Sequence, residues 1–291
     1  MDRKLLEVQG ISKKYKGFEL KNISFDLPAG YIMGYVGQNG AGKTTTLNMI
    51  TGLIHPSGGE IRLNGMTIEE DPIAYKQMIG YIGDISFFPM NFTVNEVRRT
   101  LKDFYPTFNE EVFNDYLDRW DLNVKKQIKD FSKGMKVKLM FADILSRDTK
   151  ILLLDEATNG LDPVVKDEIL TLMQEYISDG ERSILFSTHI LSDLEQIADY
   201  IYFIDKGEKI LFEPKDEMTE GYLLLKAGPQ ELSEDQLKRV IGIKKSSVVA
   251  EGLIKADDAV FFPKTSVMEK PTVDQIVIHY ILERKNGGMQ A

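Results

Sequence analysis

The stretch GQNGAGKT, from Gly37 to Thr44, carries the clearest chemistry in the sequence. It completes the pattern G-x-x-x-x-G-K-[S/T], follows a predicted strand and opens a predicted helix, which is the setting this pattern requires. Gly40 and Gly42 let backbone N–H groups converge on phosphate oxygens, and the helix start adds its positive dipole. Lys43 is suited to the β- and γ-phosphates, and the Thr44 hydroxyl to Mg²⁺. The segment predicts a nucleoside triphosphate site rather than a plain glycine turn.

A second group of polar residues follows apolar runs elsewhere in the chain. Asp155 and Glu156 end the run ILLLDE, and His189 ends the run SILFSTH. Ligand sites in parallel sheets form beyond the carboxyl ends of the strands. There Asp155 is suited to hold Mg²⁺, Glu156 to orient or deprotonate an attacking water, and His189 to reach the terminal phosphate. Such carboxylates can also simply end a strand in solvent, and a lone His is more often structural. The phosphate loop favours the catalytic interpretation.

Strands and helices alternate around these residues, which indicates a parallel sheet covered on both faces. The predicted strands lie at Leu5–Ile11, Glu19–Leu27, Tyr31–Val36, Ile79–Ile82, Ile151–Asp155, Ser183–Thr188 and Tyr200–Ile204, with helices at Pro163–Asp179 and Leu191–Ala198. Between about 85 and 150, apolar residues at helical spacing predict an inserted helical subdomain. Beyond about Glu213, two antiparallel strands and a terminal amphipathic helix are predicted. We therefore expect an ATPase domain at 1–215 and a small α+β domain at 216–291.

Composition limits the classes of function. The chain has 291 residues, with 36 Lys and Arg against 45 Asp and Glu, a net charge of −9. This charge disfavours binding to nucleic-acid backbones. There is no Cys, which excludes disulfides and thiolate chemistry, and there are only three His. No apolar run approaches the roughly 20 residues of a membrane helix, and the N-terminus lacks a signal-peptide pattern. We expect a cytoplasmic protein that meets the inner face of the membrane only through a partner.

Together these motifs resemble the ATP-binding cassette (ABC) ATPases over roughly Leu5 to Leu211. TNGLDP at Thr158–Pro163 resembles the D-loop of the family, and His189 its switch histidine. Tyr15 stands where the family often has an aromatic ring that stacks on adenine; the alternative is a surface tyrosine. FSKGMK at Phe131–Lys136 takes the place of the family signature LSGGQ.

The sequence departs from the family pattern at two points. In the signature segment, Ser132 and Gly134 keep the positions expected to face a γ-phosphate, whereas Lys133 and Met135 depart from the pattern. Lys133 replaces a glycine and changes the charge and backbone freedom of the loop. After the strand IGYI, where the family usually has a Gln that touches Mg²⁺, this chain has Gly83 and Asp84. Asp84 can still bind Mg²⁺ or its waters, although it is shorter and has no donor when ionised. Retention and loss of the metal contact both stay open.

The resemblance implies an α/β fold: a P-loop NTPase ABC ATPase core with an antiparallel β-subdomain, an inserted helical subdomain and a small α+β C-terminal extension. It implies hydrolysis of ATP with Mg²⁺, coupled to a separate transmembrane subunit of the ABC-2 type. ATP would lie between the phosphate loop of one cassette and the signature segment of another, in a homodimer or a heterodimer. The expected catalytic residues are Lys43, Glu156 and His189; those for ATP are Tyr15, Gly37, Asn39, Gly40, Gly42, Lys43, Thr44, Thr45, Ser132 and Gly134; those for the metal are Thr44, Asp155 and Asp84.

Several segments resemble particular branches of the ABC family. LSRDTKILLLDEATNGLDP is similar to ABC-2 type exporters, and FYPTFNEEVFNDYLDRWDL with FSKGMK is similar to the branch that exports antimicrobial peptides or phenol-soluble modulins. Two rival classes are a soluble ABC ATPase acting on ribosomes or DNA, and a regulatory cassette that does not hydrolyse ATP. The first predicts tandem cassettes or a basic surface, and the second predicts loss of Glu156 or His189.

Two apolar segments offer possible contact surfaces. The loop ISFFPMNFTVNEV clusters Phe87, Phe88, Met90 and Phe92, and the resemblance implies a groove there for a helix of the membrane subunit. We expect Phe88 and Phe92 to serve that contact; the alternative is that the rings fill the core of the helical subdomain. The helical segment Thr272–Glu283 has an apolar face that packs on its own β-hairpin or on the tail of a second copy.

Overall fold

A six-stranded sheet forms the centre of the computed structural model, which describes residues 3–228 and 230–287. The strands are β1 (Lys4–Tyr15), β2 (Phe18–Pro28), β3 (Ile32–Val36), β4 (Gly58–Leu63), β5 (Ile79–Ile82), β6 (Ile151–Asp155), β7 (Ser183–Thr188), β8 (Tyr200–Asp205), β9 (Glu208–Pro214), β10 (Tyr222–Ala227), β11 (Ile241–Lys245), β12 (Ala250–Lys255) and β13 (Val267–Glu269). The helices are α1 (Lys43–Ile50), α2 (Pro72–Gln77), α3 (Val94–Phe104), α4 (Glu110–Arg119), α5 (Lys133–Leu145), α6 (Pro163–Ile177), α7 (Leu191–Ile197), α8 (Lys215–Glu220), α9 (Glu234–Leu237) and α10 (Val273–Gly287), with short 3₁₀ turns at Ile128–Asp130 and Ala256–Phe261.

The central sheet brings the ends of distant strands together. Its order is β5-β6-β7-β3-β8-β9, parallel from β5 to β8, with β9 antiparallel to β8. Every residue of β3, β6 and β7 is buried, as expected of parallel strands covered on both faces. Val36 is in register with Thr188, and Asp155 with Ser187. The residues that follow these strands therefore share one edge of the sheet, which confirms the α/β arrangement predicted from the sequence.

Two smaller units attach to this sheet. An antiparallel sheet of order β2-β1-β4 packs against the face that also carries α1. The predicted helical subdomain consists of α3, α4 and α5, and a capping box of Thr93 and Glu96 starts α3. The Trp120 indole N–H donates to Glu168 of α6 at 2.7 Å, which fixes this subdomain to the ATPase core.

The C-terminal segment forms a third sheet, of order β11-β12-β10-β13, covered by α10. The apolar face of α10 is buried within its own chain: Val273, Ile276 and Val277 belong to the same core cluster as Leu194 and Ile197 of α7. This arrangement agrees with packing inside the chain and leaves that face unavailable for a contact between two tails. The division at residue 216 stays a prediction, since one core contains residues from both sides of it.

Candidate active site

The phosphate loop lies between β3 and α1, and close packing dictates its glycines. A Cβ at Gly37 would lie 2.5 Å from the Ile204 carbonyl oxygen. Gly42 has φ +113°, and a Cβ there would lie 2.6 Å from a Leu20 methyl group. Gly40 also has positive φ, but open space surrounds it. A side chain is thus excluded at Gly37 and Gly42 by sterics, and Gly40 keeps the rim of the loop open for a phosphate.

Lys43 holds its charge inside this loop. Its side chain is only 6% exposed, and its Nζ donates to the Gly37 carbonyl oxygen at 2.7 Å. The same Nζ lies 3.2 Å from Glu156 Oε1, an oxygen that accepts no hydrogen bond from the described residues. A buried cation beside a carboxylate with an unused acceptor suits a site that binds phosphate and water together.

Two of the residues predicted to hold Mg²⁺, Thr44 and Asp155, are in direct contact. The Thr44 hydroxyl donates to Asp155 Oδ2 at 2.7 Å, and the Ser187 hydroxyl donates to Asp155 Oδ1 at 2.9 Å. No cluster of three or more His, Asp or Glu within the described ranges would hold a metal alone. One hydroxyl and one carboxylate fit Mg²⁺, which is usually bound by one or two carboxylates plus substrate phosphates and waters.

Glu156 and His189 form the second half of the site. Glu156 Oε2 lies 2.6 Å from His189 Nδ1, and the Glu156 amide donates to the Ser187 carbonyl at 2.9 Å. Glu156 has φ +55°, a conformation that costs a non-glycine residue about 1 kcal/mol or more and that clusters at active sites. This turn aims the carboxylate back at the phosphate loop. The pair can orient a water and take up its proton.

An open cleft of about 610 Å³ runs along the phosphate loop, within the usual size of a small-molecule site. Its walls include the predicted ATP residues Asn39, Gly40, Gly42, Thr44 and Thr45. A second cleft of about 510 Å³ adjoins it and shares Gly17, Phe18 and Gly40 with it. Tyr15 lines this second cleft, where it is 40% exposed. The predicted contact of Tyr15 with adenine stays a prediction, and the adjacency of the two clefts is compatible with it.

Substitution of Tyr15 tests whether its ring binds the base. We expect Tyr15→Ala to raise the KM for ATP by about tenfold, since stacking of a base on an aromatic ring contributes roughly 1–3 kcal/mol. Tyr15→Phe keeps the ring and should keep the KM. Steady-state ATPase titrations of the two variants check this, and an unchanged KM in the alanine variant would leave Tyr15 a surface residue.

The signature segment lies at the start of α5. Ser132 caps this helix by accepting from the Met135 amide at 3.2 Å. Lys133 is the first residue of the helix, so the replacement of glycine brings no unusual backbone conformation. Neither Ser132 nor Gly134 lines the phosphate cleft of its own chain. Their part in binding ATP stays a prediction that requires a second cassette.

Asp84 contacts Lys133, the residue that replaces a glycine in the signature segment. Its carboxylate forms an ion pair with the Lys133 ammonium, between the loop after β5 and the start of α5. No motif in the sequence links these two positions, which are 49 residues apart. The structure thus gives Asp84 a protein partner, while its role toward Mg²⁺ stays a prediction.

Three residues of the site escaped the sequence analysis. Ser187 binds the free oxygen of Asp155, and Phe18 lines both clefts. Burial, reinforced by the nearby Asp155 carboxylate, raises the pKa of Tyr81 to about 12, so its hydroxyl keeps its proton beside the metal residues. Ser187 and Tyr81 lie on β7 and β5, the two neighbours of the Asp155 strand in the central sheet, and this strand order is not encoded in any local motif.

Comparison with known proteins identifies the family of the chain. A family model described as ABC transporter matches residues 20–159. The chain is 32% identical to the lantibiotic transport ATP-binding protein SrtF of Streptococcus pyogenes, covering 73% of this chain and 92% of SrtF. It is 29% identical to the bacitracin transport ATP-binding protein BcrA of Bacillus licheniformis, covering 86% and 84%.

Solved structures agree on the fold. An ATP-binding subunit of an ABC transporter, 29% identical, superposes with a TM-score of 0.68 over 74% of this chain and 91% of that one. A cassette solved as a dimer with ADP and phosphate, 21% identical, gives 0.64 over 72% and 98%. The phosphate loop, the Thr44–Asp155 pair and the Glu156–His189 pair thus occur on a shared fold. The chain belongs to the ATP-binding, ATP-hydrolysing proteins of the ABC transporter family.

Proposed function

We propose that this ATPase powers an exporter of amphipathic or antimicrobial peptides, through a separate ABC-2 type membrane subunit on the inner face of the cell membrane. The proposal of ATP hydrolysis rests on one observation. At the same edge of the central sheet, Lys43 forms an ion pair with Glu156 and the Thr44 hydroxyl donates to Asp155. The export part is supported by the relatives BcrA and SrtF, which are named bacitracin and lantibiotic transport ATP-binding proteins. Among the described residues, no helix is both long and apolar enough to cross a membrane.

The residues divide the chemistry among them. Lys43 neutralises charge on the β- and γ-phosphates. Because the Lys43 side chain is buried, water screens this attraction less than it would at the surface. Glu156 orients the attacking water and accepts its proton, and His189 fixes the carboxylate through Nδ1. Thr44 and Asp155 are the groups that would hold Mg²⁺, which supplies further positive charge at the phosphate oxygens.

The arrangement we propose contains two cassettes, head to tail. Ser132 and Gly134 lie outside the phosphate cleft of their own chain, so a second copy would bring them to the nucleotide. One chain carries all the nucleotide motifs, and a homodimer with two equivalent sites is therefore sufficient. A homologous cassette has been solved as a dimer with ADP and phosphate.

The loop between β5 and α3 offers the surface for the membrane subunit. Ile85 is 81% exposed, Phe87 51% and Met90 46%, whereas Phe88 is only 7% exposed and belongs to the main core cluster. Phe92 is partly buried against the same cluster. The expectation that Phe88 and Phe92 serve the contact therefore needs correction: their rings pack inward. The exposed apolar side chains of this loop are the better candidates.

Loss of these side chains should separate partner binding from catalysis. We expect Phe87→Ala with Met90→Ala to leave the ATPase rate of the isolated subunit within about twofold of wild type, because surface substitutions change stability little. Copurification with the membrane subunit should fall by about tenfold or more, as expected for an interface hot spot. Leu53→Ala removes a similarly exposed apolar side chain elsewhere and serves as the matched control. Undiminished copurification would exclude this loop.

The proposed function is tested by an ATPase assay with and without the membrane subunit in vesicles. We expect stimulation by the subunit, further stimulation by its peptide, and accumulation of that peptide inside inverted vesicles. An ATPase rate that does not change when the ABC-2 type membrane subunit is added would contradict the proposal.

A further inference from the structure

Asp84 and Lys133 replace two residues of the family pattern, and they bind each other. Lys133 is the first residue of α5, and Asp84 lies in the loop between β5 and α3. The ion pair therefore connects the first loop of the helical subdomain to its last helix. A Cβ at Gly160 would lie 3.9 Å from Lys133 Nζ. The ammonium therefore also adjoins the loop that follows the catalytic Glu156.

The start of α5 is unusually positive. Its first turn contains no acidic residue, and Lys133 and Lys136 add cations where the helix dipole is already positive. Negative charge is stabilising at such an end, and in the isolated chain Asp84 supplies it. The exposed fractions of the two side chains are 54% for Asp84 and 36% for Lys133. An ion pair this exposed is weak, so its partners can be exchanged.

We propose that the Lys133 ammonium binds the Asp84 carboxylate while the two cassettes are apart. When the cassettes close, Lys133 releases Asp84 and binds the terminal phosphate of the ATP held by the second copy. This inference rests on the head-to-tail arrangement proposed above. Asp84 and the phosphate compete for one ammonium, so the Asp84–Lys133 pair opposes closure until ATP is present. Lys133 is thus a nucleotide-binding residue that compensates for the glycine it replaces in the signature segment, and Asp84 sets the ATP concentration at which the cassettes close.

Competition predicts effects of opposite sign for the two residues. The background is the full chain with Glu156→Gln, in which we expect ATP to accumulate a closed dimer. Asp84→Asn should lower the ATP concentration for half-maximal dimer by up to about fivefold, the equilibrium worth of an exposed ion pair. Lys133→Gln should raise it by about fivefold or more, since it removes a charge-assisted hydrogen bond to phosphate. In the Lys133→Gln background, Asp84→Asn should have no further effect.

The measurement is analytical ultracentrifugation across an ATP titration with fixed excess Mg²⁺. Lys129→Gln is the matched control, since it removes an exposed lysine of the same segment that forms no ion pair with the described residues. If Asp84 instead binds Mg²⁺, Asp84→Asn raises the half-maximal ATP concentration, and the proposal is overturned. It is equally overturned if the Asp84→Asn effect persists without Lys133, or if Lys133→Gln changes nothing.

Failure of the underlying arrangement looks different. If the Glu156→Gln chain forms no dimer at any ATP concentration, while equilibrium dialysis shows that it binds ATP, the head-to-tail dimer is wrong and the exchange falls with it. If the dimer forms at the same ATP concentration in the Glu156→Gln chain and in its Asp84→Asn, Lys133→Gln and double variants, the exchange alone is overturned.

Discussion

Glu156→Gln is expected to lower the kcat for ATP hydrolysis by about 10²- to 10⁴-fold, the usual contribution of a general base. Glutamine keeps the size of the side chain and a hydrogen-bonding atom near His189 Nδ1, which now lies 2.6 Å from Glu156 Oε2. Lys43, Thr44 and Asp155 are unchanged, so ATP and Mg²⁺ should bind nearly as tightly as in wild type.

Single-turnover hydrolysis and equilibrium ATP binding, measured on the same preparation, separate these effects. Glu111→Gln removes a carboxylate from the exposed face of α4 and serves as the control for charge. Wild-type turnover in Glu156→Gln would show that another group activates the water. A parallel loss of ATP binding would instead mean that the substitution disturbs the phosphate loop through Lys43.

Lys43→Ala acts one step earlier, on binding. We expect the Kd for ATP to rise by at least about a hundredfold, since charge-assisted hydrogen bonds to phosphate contribute roughly 1.5–3 kcal/mol each. The geometry adds to this loss. Lys43 Nζ lies 3.2 Å from Glu156 Oε1, so its removal leaves a carboxylate beside the phosphates with no cation between them.

Two further variants define the origin of that loss. Lys43→Met keeps the length of the side chain in its buried position, and it should bind ATP as poorly as the alanine variant if charge is the cause. Lys76→Ala removes an exposed lysine of α2 and should bind normally. An unchanged ATP affinity in Lys43→Ala would remove Lys43 from the phosphate site.

The proposed catalytic residues at the edge of the central sheet were predictable because their sequence signals are local. The strands at Ile79–Ile82, Ile151–Asp155 and Ser183–Thr188 have the predicted bounds. Buried parallel strands appear as unbroken apolar runs, and their polar ends mark the site. The Thr44–Asp155 contact then follows from the topology of the sheet.

Other features depend on packing between distant segments and could not be predicted. Phe87 and Phe88 are adjacent and chemically identical, yet one is 51% exposed and the other 7%, because the helical subdomain packs on one side of the loop only. The contact between Asp84 and Lys133 depends on how the same subdomain folds back on the sheet. No local motif at Asp84 or at Lys133 predicts that the two side chains are in contact.

The shared core beneath α10 has a consequence for chimeric proteins. Met218, Tyr222 and Val273 pack in one cluster with Leu194 and Ile197, and the Val273 amide donates to Glu195 at 2.8 Å. A cassette cut before α8 and joined to the tail of a relative would lose these contacts unless the new tail carried matching apolar side chains. The exposed core would then favour aggregation. A chimera that is meant to stay folded should therefore take α7, α8 and α10 from the same parent chain, because their side chains fill one core.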